Sequence, residues 1–327
     1  MDRFHVPRSV SRVGFLSTMG AVAAAPALPA FAQEAVTVVR ITAVPNDDVS
    51  PLLYAKQAGL FRQVGLDVQI EPATAGAAIA AALVGGSYDI GLTSMMAQVT
   101  AHVRGVPLTM IAPSLLSLSE DPAALLIVPN DSPIHGVRDL PGKVISCSSI
   151  RDVNWVSMRG FADANGVDSE TIKFVEMPQT IIPAALDAKR LDAGILLNPN
   201  LEEAMSTGRF RVICKPFDGI AKRWLVAAWC ANTAFAAKNP SVVQRFSQVM
   251  LTATRYANTH VSETAPMLAA FAKIDPAHVL AMKRVTCGTY LDPRDIQPAI
   301  DAAARYKVID KSFPAAEFIS QFAIKAG

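Results

Sequence analysis

The chain has 327 residues, of which 51% are apolar and 18% charged, with 30 basic and 28 acidic side chains and four cysteines. That much apolar surface can bury real cores, which excludes a disordered chain, and a net charge of +2 leaves no basic field for nucleic acid. The length is too great for one small core and suits two units of roughly 100–150 residues each.

The first thirty-odd residues read as an address rather than as fold. Arg3, Arg8 and Arg12 make a basic start, Val13 to Ala25 is nearly all small and apolar, and Ala30-Phe31-Ala32 is an A-x-A cleavage signal. Pro26 and Pro29 interrupt the apolar run, whereas a membrane span needs roughly 20 unbroken apolar residues. A cleavable signal peptide over 1–32 is therefore expected. Ser11 to Leu16 resembles a twin-arginine export signal lacking its second arginine, which leaves the export route open. The leader holds three arginines and one aspartate, so the remaining 295 residues carry 27 charges of each sign.

Thr37 to Val44, rich in Val, Ile and Thr, predicts a strand. After the turn Pro45-Asn46-Asp47-Asp48, Ser50 caps a helix with Pro51 in its first position, closed by Gly65. Leu66 to Ile70 is the next strand. The alternation repeats with a short helix over Ala77 to Val84, a buried strand over Tyr88 to Leu92, a helix capped by Thr93-Ser94 and running to Arg104, and a strand over Leu108 to Ala112. After Pro122 it restarts. Strands are expected over Ala123 to Val128, Val144 to Cys147, Ile172 to Glu176 and Ala193 to Leu197; helices run over Val153 to Asn165 and from Thr180 through Lys189. Asn200 with Glu203 forms a capping box for another helix. Phe210 to Lys215 and Leu225 to Ala231 are extended.

From Asn239 the pattern is helical, with Val243, Phe246, Met250, Ala253 and Ala257 on one stripe and Asp292-Pro293 opening a last helix through Tyr306. The whole predicts an α/β fold of two lobes, each a mainly parallel sheet flanked by helices, with a C-terminal helical region. A helical tail without a sheet of its own must pack on something earlier. It is assigned to the first lobe, giving 33–120 with 220–327 as lobe 1 and 121–219 as lobe 2, hinged at the crossings 118–124 and 216–224.

Tyr54-Ala55-Lys56-Gln57-Ala58-Gly59-Leu60-Phe61-Arg62-Gln63-Val64-Gly65-Leu66-Asp67-Val68 resembles a signature of one periplasmic-binding-protein family. So do Gly86 to Ser94 and, after them, Arg104-Gly105-Val106-Pro107-Leu108. The likeness is strongest from Ile41 to Ala112 and weaker from about Val153. Members of that family bind sulfonates, taurine, nitrate or thiamine-pyrimidine precursors for ABC transporters. The resemblance implies a type II binding-protein fold, a ligand in the cleft between the lobes, a periplasmic location, a permease with its ATPase as partner, and a monomer. A sensory module of the same fold is the competing class.

Ligands of open α/β sheets bind at the carboxyl ends of strands, and the polar residues at those ends are the candidate site. Thr93 and Ser94 stand where a strand meets a helix N-terminus, which carries roughly half a positive charge and suits an anion. Ser148, Ser149 and Asn154 repeat that arrangement in the second lobe. Asn46, Asp47, Asp48 and Ser50 lie in the first strand–helix loop, Ser114 and Asn198 after further strands, and Arg151 is the one fixed positive charge placed at the rim. Each also fits a plainer role: a cap, a solvated turn, or, for Arg151, a surface pair with Asp152 or Asp163. Trp155, Trp224 and Trp229 read as packing, with one of them free to stack on a flat ligand. A small oxyanion or organic acid is the leading expectation; a neutral heteroaromatic such as a pyrimidine, held by Asp47 or Asp48, is the alternative.

No catalytic constellation, cofactor motif or metal spacing is expected. Gly136 to Gly142-Lys143 has five intervening residues where a phosphate loop has four, and His102, His135, His260 and His278 are scattered. Relatives that make a pyrimidine precursor use clustered cysteines. Here Cys147, Cys214, Cys230 and Cys287 lie far apart, as buried thiols or as two disulfides in one of three pairings.

Overall fold

The computed structural model describes residues 36–73 and 76–325; the expected leader over 1–32 lies outside them. In chain order the first elements are β1 (Thr37–Ala43), α1 (Ser50–Gln57), α2 (Leu60–Gln63), β2 (Leu66–Pro72), α3 (Gly76–Val84), β3 (Ile90–Ser94), α4 (Met95–Val103) and β4 (Leu108–Pro113). A short strand β5 (Leu116–Leu118) leads to β6 (Ala124–Pro129), β7 (Val144–Cys147), α5 (Val153–Ala164), β8 (Lys173–Glu176), α6 (Ile182–Asp187), β9 (Ala193–Leu197), α7 (Asn200–Ser206) and β10 (Phe210–Cys214). The chain returns through β11 (Arg223–Leu225) and β12 (Ala227–Asn232). It ends in α8 (Thr233–Lys238), α9 (Pro240–Ala257), α10 (Val261–Ala272), α11 (Pro276–Ala281) and α12 (Pro293–Arg305).

Two five-stranded sheets result, ordered β2-β1-β3-β12-β4 and β10-β6-β9-β7-β8. In the first, β1 is parallel to β2 and β3, whereas β12 is antiparallel to β3 and β4. In the second, β7 is parallel to β8 and β9, whereas β6 is antiparallel to β9 and β10. Read from opposite ends the two orders coincide. In each sheet the single antiparallel strand is the first one formed after the chain arrives from the other sheet, and the other four run the same way, so both sheets are mainly parallel as expected. The two crossings run side by side: β5 pairs antiparallel with β11, the Ser119 amide donates to Lys222 O at 2.8 Å, and the Ser119 hydroxyl donates to Asp218 at 2.8 Å.

The helical tail packs on the first sheet. All five stripe residues of α9 are buried, Phe246 stacks on Phe61 at 5.7 Å and meets Trp229 edge-on at 6.0 Å, and Ser247 donates to Ile111 O in β4 at 2.5 Å. Arg245 closes the other end by donating to Val64 O at 2.7 Å.

Local differences from the sequence expectation have identifiable causes. Asp47 to Val49 winds a 3-10 turn before α1, so the N-cap is Val49 and Ser50 lies inside the helix, its hydroxyl donating to Asp47 O at 2.7 Å. Gly59, at φ 71°, breaks the expected single helix into α1 and α2. Asn200 is the first residue of α7 rather than its cap; Asn198 Oδ1 accepts from the Glu202 amide at 3.1 Å instead. The four cysteines are buried free thiols.

Candidate functional site

The strand ends of the two sheets meet at a seam. Ser94 closes β3 and caps α4, its Oγ accepting from the Ala97 amide at 3.2 Å. The same hydroxyl donates to Asp152 Oδ1 at 2.7 Å. Asp152 stands just before α5, on the other sheet, with extended backbone. An aspartate in that position ordinarily caps its own helix, but this side chain makes no cap bond and reaches across the seam instead. Burial pushes its carboxyl above the ordinary range, against the opposing pull of the Ser94 hydroxyl and the Val153 amide.

Beside Asp152, Asn154 is buried and donates to the Ser148 hydroxyl at 3.4 Å. Ser149 is held differently: its hydroxyl donates to Glu176 at 3.1 Å, and the Ile150 amide donates to the same oxygen at 2.7 Å. Thr93 sits one residue deeper than Ser94, 4% exposed and facing the Cys230 thiol inside the first sheet.

A second cluster forms where β1 ends. Asp47 accepts from Arg284 at 2.6 Å and from the Val285 amide at 2.7 Å, and Arg284 also donates to the Ser50 hydroxyl at 2.7 Å. Both charges are buried, with Arg284 at 8% and Asp47 at 2% side-chain exposure. Asp48 faces the other way and has only a hydroxyl: Ser114 donates to its Oδ2 at 3.1 Å. Without a cation, burial drives the Asp48 carboxyl up to about 7, the Ser114 bond opposing and the charge of Asp47 adding to the rise. Asn46 is half-buried at the start of this turn, with no side-chain cap bond.

Asn198 reaches the second cluster from the other sheet. Its Nδ2 donates to Lys283 O at 2.5 Å, one residue before Arg284, while Lys283 pairs with Asp121 at 2.7 Å beside the first crossing. The loop 283–286 is absent from the sequence-derived site, and so are Asp152 as a seam residue and Glu176. Arg284 meets Asp47 across 237 residues of sequence, a separation at which no local period or spacing carries a signal.

Arg151 is exposed and turns away from the seam, into a groove of about 430 Å³ shared with Trp155 and Tyr306. It pairs with neither Asp152 nor Asp163: the first goes to Ser94, and the second accepts from Tyr306 at 2.7 Å. Trp224 and Trp229 are fully buried. Among the described residues no group of three or more His, Cys, Asp or Glu is placed to hold a metal ion.

What the seam offers is a carboxylate, two hydroxyls and an amide between the starts of two helices from different sheets. A profile described as NMT1/THI5 like matches residues 46–264. The 4-amino-5-hydroxymethyl-2-methylpyrimidine phosphate synthase of Schizosaccharomyces pombe is 25% identical over 215 residues, 62% of this chain and 60% of that protein. The chain thus spans about three-fifths of the length of the curated relatives it matches. The periplasmic aliphatic sulphonate binding protein SsuA from Escherichia coli superposes with a TM-score of 0.73 at 18% identity, covering 87% of this chain and 98% of that one. The periplasmic nitrate-binding protein NrtA from Synechocystis PCC 6803 does so with a TM-score of 0.70 at 13% identity, covering 88% and 86%. At such identities the likeness shows the fold, which is that of the periplasmic binding proteins.

Proposed function

The chain belongs to the NMT1/THI5-like family, and from that premise we propose that it is an exported, non-enzymatic receptor that shuts around a small solute and hands it to the permease and ATPase of an ABC transporter. The Ser94–Asp152 contact carries the reading. It joins helix starts from two sheets at 2.7 Å, so a solute seated there touches both at once and favours the shut arrangement. The leader supplies the destination. Against catalysis, burial pushes the thiols of Cys147, Cys214 and Cys230 up to about 12. They stay protonated at neutral pH and are poor nucleophiles.

The solute class follows from Asp152. Two helix N-termini facing a cleft suit an oxyanion, but here the protein's own carboxylate already occupies that field. A solute that parts Ser94 from Asp152 must return a hydrogen-bond donor to a half-buried carboxyl, because a polar group shut away from water without a partner costs about 1–3 kcal/mol. A flat heterocycle bearing an amino group, such as an aminopyrimidine, meets that need, in keeping with the names of the curated relatives. One observation favours the oxyanion as a second reading: the Asp152 side chain leaves the first turn of α5 without a cap bond, and an anion could supply one.

Calorimetric titration of the purified protein with an aminopyrimidine, taurine, methanesulfonate and nitrate separates the two. The aminopyrimidine is expected to bind, and Asp152→Asn to weaken it at least tenfold. Binding of plain oxyanions alone, tightened by Asp152→Asn, would establish the second reading. Turnover of a pyrimidine substrate by the purified protein would overturn the receptor.

A further inference from the structure

Helix α5 begins with two faces of different character. Asp152 and Asn154 serve the seam. Trp155, Arg159 and Asp163, spaced four apart on α5, form a stripe along the groove, Arg151 joins it from the turn before the helix, and the opposite wall is the end of α12 with Arg305, Tyr306 and Lys307. The centre of the groove is self-satisfied. The Arg159 guanidinium lies 4.6 Å from the Trp155 ring and 5.3 Å from the Tyr306 ring, pairs with Glu170 and donates to Ser169 at 3.1 Å. Asp163 accepts from Tyr306 and from the Ser169 amide, and Asp168 caps its own turn.

The rim is not satisfied. Among the described residues the side chains of Arg151, Arg305 and Lys307 make no hydrogen bond or ion pair; of the groove's acids Glu170 is paired with Arg159, while Asp163 and Asp168 accept from neutral donors, so four cations face three carboxylates and the excess charge is positive. Arg151 is also held at φ 67°, a left-handed conformation that costs a side chain roughly 1–2 kcal/mol. Lys307 shares that region at φ 54° as the residue ending a helix, but Arg151 ends none. It is fixed there because Ser149 and Ile150 are clamped to Glu176 on one side and Asp152 is drawn to Ser94 on the other. Strain retained at an unpaired cation is the kind of outlier that points to use.

We infer that this groove is a second ligand site, for a small organic polyanion carrying two or more carboxylate or phosphate groups, gripped by Arg151 and Lys307 with Arg305 beside them. Its volume of about 430 Å³ lies in the range of small-molecule sites, and its floor is the Arg159 guanidinium lying over the Trp155 and Tyr306 rings. One wall follows β7 of the second sheet, whereas α12 packs on α4 and β11. A polyanion held by both therefore favours the shut molecule and acts as an effector of solute capture.

The test is calorimetric titration of the purified protein with citrate, pyrophosphate and benzene-1,3,5-tricarboxylate, with acetate and chloride at matched ionic strength as controls. At least one polyanion is expected to bind ten or more times tighter than acetate. Arg151→Gly should lose at least tenfold of that affinity while melting at or above the parent temperature, because glycine accepts the left-handed backbone without strain. Lys307→Gln should lose affinity by a similar factor. Polyanion binding no tighter than acetate, or unchanged by both substitutions, overturns the site.

Discussion

Asp47 and Asp48 are neighbours in sequence and are buried alike, yet only one has a counter-charge. Asp47 holds Arg284 and the Val285 amide, an ion pair whose one-sided loss would cost about 3–5 kcal/mol. Asp48 has the Ser114 hydroxyl and no cation, and titrates at about 7. Its folded pKa lies above the unfolded value, so between about pH 4 and pH 7 the folded state binds more protons than the unfolded one. Stability therefore falls as pH rises through that window and levels off above it, by up to about 4 kcal/mol from this group. Asp152, also raised, acts in the same direction. Urea unfolding at pH 5 and pH 8 should show the parent more stable at pH 5. Asp48→Asn should remove much of the difference and exceed the parent at pH 8. Equal parent stability at both values, with no effect of Asp48→Asn, would show that Asp48 is not buried as described.

Elements were more legible than their junctions. The bounds of β7 and β9 follow from their apolar runs, and Asp292-Pro293 opens α12 as its cap and first residue, because those signals are local. The β5–β11 ribbon was not legible, since three-residue strands lack a period and owe their pairing to the two crossings lying together. Gly160 shows the same limit within α5. Mid-helix glycine reads as a cost of about 1 kcal/mol relative to alanine, but here backbone meets backbone: a Cβ at 160 would lie 2.3 Å from Gly219 O, and one at 219 would lie 2.1 Å from the Phe161 amide nitrogen. The paired glycines let α5 sit directly on the second crossing. Gly160→Ala should therefore destabilise by about 3 kcal/mol in denaturant melts, whereas Gly136→Ala, with open space around it, should stay within about 0.5 kcal/mol. Equal effects of the two would mean that α5 and the crossing are not in close contact.

At the scale of the whole molecule, sequence reasoning located strand ends but not what faces them. Ser94, Asn154 and Asn198 could be placed at the right loops because strand–turn–helix grammar is local. That Ser94 faces Asp152, or Asn198 faces Lys283, depends on how two sheets close on one another, and no short-range pattern encodes that. Among the described residues three side-chain hydrogen bonds join the proposed lobes away from the crossings: Ser94 to Asp152 at 2.7 Å, Asn198 to Lys283 O at 2.5 Å, and Tyr306 to Asp163 at 2.7 Å. Two of them end on a carboxylate, and a hydrogen bond to a charged group contributes about 1.5–3 kcal/mol. Opening must break all three and is compensated by water, so the balance between open and shut should respond to losing one. Ser94→Ala leaves Asp152 facing an apolar methyl inside the shut seam but returns it to water in the open form, which biases the molecule toward opening by roughly tenfold or more. In solution scattering without added solute, Ser94→Ala should show a larger radius of gyration than the parent, and a solute that donates to Asp152 should bring it back. Indistinguishable profiles would mean that the seam does not govern opening and that the crossings alone hold the two sheets in place.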